Sequence, residues 1–293
     1  MATVTAPGGS SVVVGNSNDK ITVFGDGTVK AGHGNDTILI EGNGAVTAGS
    51  GNDIISMWGC GPVSVGNGND TIVVSGDGSV TAGSGNDRIQ FWGKGDVTIG
   101  GGNDTITVAW NAQITETKSS GHDTINLGYG ADTIHEAGSA TIHGSFGSAT
   151  LKGGELTYEN SGHIQDDISG NATLVGSAAP TEFLAGSGST LMKGGSGHDT
   201  FVGGAGYDTM VGTGKHNVFE FLSGEHGGQH VVQNFVSGDQ LYVEGYSLSY
   251  LQSHHDVTSH GGNTYISIDG GKTTIELQGV KSLSSSDITT HKP

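Results

Sequence analysis

The chain has 293 residues, of which 55 are glycine, and its 11 Lys and Arg against 29 Asp and Glu give a formal net charge of −18. Direct binding to nucleic acid is excluded, because that partner needs clustered basic side chains and the few here are scattered. So much glycine without a Gly-X-Y period excludes collagen, and the single cysteine, Cys60, excludes an internal disulfide.

The first regular feature is a 17-residue repeat that runs without a register slip as far as Val108. Its unit reads GxGND followed by alternating polar and apolar residues, with Ser replacing the second Gly in the first copy. The six copies begin at Gly15, Gly32, Gly49, Gly66, Gly83 and Gly100. A fixed period of this length is typical of a solenoid, in which each coil is stable only when stacked on its neighbours.

Each coil is predicted to contain two short strands. After the Asp, residues alternate between two faces, as in Ile38-Leu39-Ile40, which is the period of a half-buried strand. A shorter strand is centred on Val46 and its equivalents, and a plain Gly-x-Gly turn such as the one at Gly42 separates the two. The sequence therefore predicts an all-β fold, a parallel β-solenoid (β-roll) of about 17–18 residues per coil.

The pattern changes along the chain and predicts five segments. The period loosens after Trp110, returns as GGSGHDTFV from Gly194 and GGAGYDTMV from Gly203, and gives way to irregular strands after Leu222. An open stack needs a cap, so we expect the last segment to be a C-terminal β cap. The predicted segments are an N-terminal cap (1–14), a regular array (15–117), a degenerate roll (118–193), a nonapeptide roll (194–222) and a C-terminal capping and secretion-signal region (223–293).

The tandem nonapeptides match GGxGxDxUx, and the chain resembles the RTX (haemolysin-type) calcium-binding repeat proteins over most of its length. The resemblance implies a parallel β-roll in which Ca²⁺ is held between turns of successive coils by main-chain carbonyls and Asp carboxylates. It extends to Asn234–Val243, which is similar to the NFxxGDxL segment after RTX repeats. Leu283–Ile288 is similar to the ending of type I secretion substrates.

The chemistry of the turns agrees with a calcium site. Calcium takes six to eight hard oxygens in a tolerant geometry, and a glycine-rich turn exposes several carbonyls around one short carboxylate. Stacked aspartates would repel one another without cations, although Asn-Asp also favours turns in metal-free solenoids. The candidate metal ligands are Asp19, Gly32, Gly34, Asp36, Gly49, Gly51, Asp53, Gly66, Gly68, Asp70, Gly83, Gly85, Asp87, Gly100, Gly102, Asp104, Asp123, Asp132, Gly195, Gly197, Asp199, Gly204, Gly206, Asp208 and, as a weaker substitute, Asn217.

The expected function is that of a secreted calcium-binding protein with a structural or adhesive role, at the cell surface or in an extracellular matrix, that folds on binding calcium. The N-terminus lacks the features of a Sec signal, and no apolar run approaches the roughly 18 residues of a membrane span. Export by type I secretion is what the resemblance implies. Self-association or a surface polysaccharide are the candidate interactions, and no enzymatic activity is expected.

The alternative is a carbohydrate-binding or polysaccharide-modifying protein, lyase- or epimerase-like, since RTX-like rolls also accompany such enzymes. Trp58 and Trp92 are predicted to face outward two coils apart, where they would stack on sugar rings or bury against a protein. No GxSxG or HExxH motif is present. The one stretch that offers an acid/base set contains Tyr158, Glu159, His163, Asp166 and Asp167.

Overall fold

The computed structural model describes residues 1–118, 120–135, 139–143, 146–152, 155–166, 171–222 and 227–292, with residues 146–152, 155–166, 171, 177 and 179 described as backbone only. The chain divides into two compact units, Met1–Ser145 and Phe146–Pro293. Both units consist almost entirely of β-strands, most of them paired in parallel. The predicted all-β parallel solenoid is therefore confirmed.

In the first unit every coil of the array contributes one strand to each of two parallel sheets. Sheet one contains the strands that follow the Asp turns and the strands in register with them at either end: β1 (Thr3–Pro7), β3 (Lys20–Phe24), β5 (Thr37–Ile40), β7 (Ile54–Met57), β9 (Thr71–Val74), β11 (Arg88–Phe91), β13 (Thr105–Val108), β15 (His122–Leu127) and β17 (Ser139–His143). Sheet two contains the strands that follow the plain turns, β2 (Ser10–Val13), β4 (Gly27–Lys30), β6 (Gly44–Thr47), β8 (Gly61–Ser64), β10 (Gly78–Thr81), β12 (Gly95–Ile99), β14 (Ala112–Glu116) and β16 (Tyr129–His135).

Neighbouring coils pair so that each residue lies beside its equivalent one repeat away. Ile38 pairs with Ile21 on one side and with Ile55 on the other, and the same register continues through the array. Parallel strands are about 4.8 Å apart, so equivalent side chains form columns along the stack. A periodic sequence thus becomes a set of uniform columns, each with a single chemical character.

The core of the first unit is one layer of apolar columns between the two sheets. Ile38 and Ile40 of sheet one and Val46 of sheet two are at most 1% exposed, and their equivalents in the other coils of the array are buried in the same way. Burying a side chain of this size fully contributes about 1.5–3 kcal/mol. A layer this thin depends on every coil keeping its register.

The second unit keeps the parallel arrangement with less regular strands. Its strands are β18 (Phe146–Lys152), β19 (Glu155–Asp166), β20 (Asn171–Leu184), β21 (Ser189–Lys193), β22 (Thr200–Gly203), β23 (Tyr207–Val211), β24 (Val218–Phe221), β25 (Gly228–Gln233), β26 (Gln240–Val243), β27 (Val257–His260), β28 (Asn263–Ile268), β29 (Thr273–Leu277) and β30 (Ile288–Thr289). Phe183, Phe201 and Phe219 stack in its core with centroids 5.1 and 4.9 Å apart.

The C-terminal region ends the parallel stack of the second unit, as predicted for a cap. β29 pairs in parallel with β25, but β28 pairs antiparallel with β29, and β27 antiparallel with β28. The helix α1 (Leu248–Ser253) begins at Ser247, whose hydroxyl accepts the Tyr250 N–H at 3.2 Å. This hairpin replaces the regular coil with a change of strand direction.

Glycine at the turns is required by the closeness of the coils. Gly68 has φ +145°, and a Cβ added there would overlap the carbonyl oxygen of Gly51 in the preceding coil. Gly9 also has a positive φ, +81°, but a Cβ there would meet no atom within 4 Å. The two positions separate the cost of backbone conformation from the cost of steric overlap.

We therefore expect Gly68→Ala to destabilise the protein by roughly 3 kcal/mol or more, because it combines backbone strain with a forced displacement of the neighbouring coil. Gly9→Ala, the matched control, should cost only about 1 kcal/mol. Urea denaturation followed by circular dichroism measures both. Equal losses for the two variants would show that overlap with the adjacent coil has no energetic effect.

Candidate metal centre

The aspartates of the repeat form a buried column along one edge of the first unit, here called the Asp ladder: Asp19, Asp36, Asp53, Asp70, Asp87, Asp104 and Asp123. Each side chain is at most 3% exposed. In each, Oδ1 accepts the backbone N–H of the residue one coil earlier, as in the bond from Asp53 N to Asp70 Oδ1 at 2.7 Å. The carboxylates therefore serve as cross-coil acceptors for backbone groups that the turns leave unpaired.

The second oxygen of the first six ladder carboxylates accepts no backbone N–H from the described part of the chain. Among the residues that the structure describes, Oδ2 of the first six members, Asp19 to Asp104, is buried without a hydrogen-bond partner. A buried ionised oxygen left unpaired is costly, because it has lost its water and gained nothing in exchange. The ladder thus presents a row of oxygens that need a proton or a cation.

The pKa values reflect this burial. Burial raises the pKa of Asp53 to about 6 and that of Asp87 to about 7, against the lowering effect of the backbone N–H bond and with a further rise from neighbouring ladder carboxylates. At the N-terminal end, hydrogen bonds from the Ala2 N–H and the Ser17 hydroxyl lower the pKa of Asp19. The interior members are therefore the ones that hold their charge with most difficulty.

A second column, formed by asparagines, runs beside the Asp ladder on the exposed side of the same turns. Its side chains bond in the opposite sense: Asn35 Oδ1 accepts the N–H of Asn52 in the following coil at 2.8 Å, and the same bond recurs along the array. Each Asn-Asp pair thereby ties its coil to both neighbours. The GND motif is explained structurally by these two columns.

Asp132 lies on the opposite edge of the first unit from the Asp ladder. Its Oδ1 accepts the N–H of Ala112 at 2.8 Å, in the column that glycines such as Gly95 occupy in earlier coils. Burial raises its pKa to about 6. Asp123 and Asp132, nine residues apart, therefore belong to different edges.

In the second unit the equivalent columns have mixed composition. On one edge Asp199 Oδ1 accepts the N–H of Thr181 at 2.9 Å, and Asn217 Oδ1 accepts that of Asp199 at 3.0 Å. Burial raises the pKa of Asp199, whose Oδ2 is buried and unpaired like those of the ladder. Asn217 offers an amide Nδ2 where Asp offers an oxygen, so it is the poorer ligand of the two.

The other edge of the second unit gives Asp208 a different environment. Its Oδ1 accepts the Thr190 N–H at 3.3 Å, and its Oδ2 accepts the Gly204 N–H at 3.2 Å. The imidazole Nδ1 of the buried His230 lies 3.1 Å from the same Oδ2. Both oxygens of Asp208 therefore have protein partners, in contrast to Asp199.

Two buried residues of these columns were missed by the sequence-based prediction. Asp239 continues the column of Asp199, with Oδ1 accepting the Asn217 N–H at 2.8 Å, and His230 continues that of Asp208. The signal for Asp239 is visible in retrospect, since Asp239-Gln-Leu-Tyr-Val repeats the Asp-x-apolar-x-apolar pattern of the array. Longer and variable spacing hid both residues.

The donor set suits a hard cation. The unpaired Oδ2 atoms lie in glycine turns whose carbonyl oxygens occupy the space where side chains would sit, as Gly51 O does beside Gly68. Oxygen-only ligands of this kind favour calcium over softer metals. Within the described ranges no group of three or more His, Cys, Asp or Glu side chains is placed to hold a metal ion. A cation on the ladder would therefore depend on main-chain carbonyls beside each carboxylate.

The predicted glycine ligands occupy these turns in register. In every turn that follows another coil of the array, a Cβ on either glycine of the motif would meet the main chain of the preceding coil, and Gly204 and Gly206 are placed in the same way in the second unit. The carbonyl of Gly49 accepts the Gly66 N–H at 2.8 Å. That these glycines and the ladder carboxylates bind a cation remains a prediction.

The alternative acid/base set falls outside what the structure describes. Asp167 lies in an undescribed segment, and the side chains of Tyr158, Glu159, His163 and Asp166 belong to residues described as backbone only. The polysaccharide-modifying hypothesis therefore has no structural test. Trp58 and Trp92, by contrast, are confirmed as exposed, at 61% and 48%.

Comparison with known proteins finds no family model that matches this chain and no significant match among curated proteins. The functional argument consequently rests on the geometry of the columns. Among the described residues, no helix is long and apolar enough to cross a lipid bilayer.

The raised pKa values predict how the stability of the metal-free protein depends on pH. The unfolded carboxyls titrate near 3.8, and the folded ones reach about 6 for Asp53 and about 7 for Asp87. The folded state therefore binds more protons across this window, and its free energy of unfolding falls as pH rises from about 4 to about 7. We expect the metal-free protein to be more stable near pH 5 than near pH 7.5, where it would melt at a lower temperature or be unfolded from the start. Thermal denaturation of protein stripped of metal measures this, and a melting temperature that rises with pH would contradict it.

Removing one ladder charge should stabilise the metal-free protein at neutral pH. Asp87→Asn retains an oxygen for the Asp70 N–H, now bonded at 2.8 Å, and removes a buried charge, so we expect a gain of about 1 kcal/mol or more. Asp77→Asn is the matched control, because exposed Asp77 accepts the Lys94 N–H at the same 2.8 Å. It should change stability by less than about 0.5 kcal/mol. Destabilisation by Asp87→Asn in chelator would overturn this account.

Proposed function

We propose that the protein is a secreted, calcium-binding β-solenoid with a structural or adhesive role at the cell surface or in an extracellular matrix, and that it has no catalytic activity. The observation that carries the proposal is the row of buried, unpaired Oδ2 atoms at one edge of the first unit. The repeat geometry is compatible with this role, because a rigid stack presents long, regular surfaces.

The energetics of the ladder require compensation at neutral pH. Two unit charges about 5 Å apart repel by roughly 3 kcal/mol at an effective dielectric constant of 20, and each interior member has two such neighbours. Protonation relieves this repulsion below the raised pKa values, about 6 for Asp53 and about 7 for Asp87, and is progressively lost as the pH rises through them. Calcium supplies positive charge and accepts the oxygens that the turns provide.

Calcium binding would make folding of the chain depend on whether it lies inside or outside the cell. Extracellular calcium modules bind with dissociation constants of about 10⁻⁴ to 10⁻³ M, well above the free calcium of a cytoplasm. A chain whose charge of −18 is neutralised only outside the cell would fold after export. The resemblance to RTX proteins, with its type I secretion, supports the same order of events.

Calcium titration of metal-free protein at neutral pH tests the proposal. We expect a cooperative gain of β-sheet circular dichroism at about 10⁻⁴ to 10⁻³ M calcium, with magnesium much less effective because it tolerates irregular sites poorly. Light scattering recorded in the same titration reports self-assembly. A full β-sheet signal in excess chelator, unchanged by calcium, would overturn the calcium mechanism.

A pair of double variants isolates the ladder from general charge effects. Asp53→Asn with Asp70→Asn removes two buried ladder charges and two candidate ligands, so it should shift the calcium midpoint and reduce the cooperativity of the transition. Asp26→Asn with Asp77→Asn removes the same charge from exposed plain turns, where both residues accept backbone N–H groups at 2.7 and 2.8 Å. The second pair should leave the midpoint unchanged. Equal shifts would show that only net charge matters.

A further inference from the structure

An exposed row of aromatic side chains follows one flank of the first unit. This aromatic line is defined by Phe24, Trp58, Trp92, Trp110 and Tyr129, which are between 48% and 61% exposed. The core of the same unit is filled without them by Ile, Val, Met and Phe columns. Large rings kept at the surface in a regular row mark an interaction site.

The strand register of sheet one determines the distance between neighbouring rings. The backbone N–H of Trp58 bonds to Ile40 O at 3.0 Å and that of Trp92 to Val74 O at 2.9 Å, so both lie in the column that ends the sheet-one strands. Phe24 occupies that column two coils before Trp58, and Glu41 and Ser75 fill the coils between. Aromatic rings therefore recur at every second coil, about 10 Å apart.

The line continues at its far end with a ring pair. Trp110 follows Ala109, the next residue of the column, and Tyr129 N bonds to Ala109 O at 2.9 Å in the coil beyond. The Trp110 and Tyr129 rings are 5.8 Å apart and tilted by 34°. From the coil of Phe24 to that of Tyr129 the line spans six coil steps, or about 30 Å.

We propose that the aromatic line binds an extended, uncharged β-1,4-linked polysaccharide, such as cellulose or chitin. In such a chain successive sugars are turned over, so the same ring face recurs at every second sugar, which matches the spacing of Phe24, Trp58 and Trp92 at every second coil. Half-buried Ser56 and Gln90, on the neighbouring outward column of sheet one, supply hydrogen-bonding groups for sugar hydroxyls beside the stacking rings.

The residues of the aromatic line favour an uncharged polysaccharide over a protein or an anionic polysaccharide as the partner. A protein interface has a contiguous apolar centre, whereas Glu41 and Ser75 separate the rings over the longer part of the line, from Phe24 to Trp92. An anionic polysaccharide would meet the exposed carboxylate of Glu41 between the rings. The inference rests on the proposed adhesive role, whose partner it names, but the spacing of the rings follows from coil register and not from calcium.

The test is co-sedimentation of the full-length, calcium-loaded protein with microcrystalline cellulose and with chitin. We expect the wild type to bind at least one of them, and Trp58→Ala with Trp92→Ala to weaken that binding about tenfold or more, as loss of central aromatics does at other interfaces. Tyr207→Ala, which removes an exposed aromatic of the second unit that lies off the line, is the matched control and should bind like the wild type.

A spacing variant separates the period from general apolarity. Ser75→Trp with Trp92→Ser keeps the number of tryptophans but shortens the step from Trp58 to the next tryptophan from about 10 Å to about 5 Å. We expect it to bind as weakly as the double alanine variant, and wild-type binding by this variant would overturn the role of the period. Circular dichroism in calcium confirms that each variant is folded.

Three results would overturn the inference: no binding of the wild type to either polysaccharide, unchanged binding by the double alanine variant, or a wild-type oligomer that this variant converts to monomer without any binding to sugar. The last result would assign the line to self-association. A wild type that binds cellulose or chitin but shows no response to calcium would leave this inference standing and reject the calcium mechanism. The opposite pair of results would reject the aromatic line alone.

Discussion

The in-register stacking of coils is the constraint on which the rest of the molecule depends. Because each residue of the array lies about 4.8 Å from its own equivalent, whatever a position contains is multiplied along the stack. Apolar positions gain from this, since Ile38 packs on Ile21 and Ile55 in a continuous core. Stacking also requires glycine at positions such as Gly68, because a Cβ there would meet the backbone of the neighbouring coil. Ionised side chains are destabilised by the stacking, because like charges repel one another along a column.

Each aspartate of the Asp ladder combines a stabilising hydrogen bond with a destabilising buried charge. One oxygen accepts a backbone N–H across the coil boundary, which secures the turn, and the other is left buried. The asparagine beside it bonds in the opposite direction to the next coil. The Asn-Asp pair is thus a structural device as well as a candidate ligand, and without a cation the gain from its hydrogen bonds would be opposed by the repulsion between carboxylates.

The two units treat this repulsion differently. The first unit stacks like on like, with an uninterrupted run of aspartates. The second dilutes the charge, because Asn217 separates Asp199 from Asp239, and His230 lies against Asp208. Any dependence on a cation would therefore be concentrated in the first unit, where no neutral or basic residue intervenes between Asp19 and Asp123 in the column.

The sequence by itself determined the coil length, the two strands of each coil and the faces of Ile38 and Ile40, because a strict period leaves a single way to stack the repeats with apolar residues inward. It also pointed to the aspartates and to a cap after Leu222. Only the tertiary structure decided which oxygen of each ladder carboxylate accepts a hydrogen bond. It also placed Asp132 on the opposite edge from Asp123, and Asp239 and His230 in the buried columns. Those facts depend on contacts between neighbouring coils. Because the connections between coils differ in length, the spacing of residues along the chain does not specify which atoms meet.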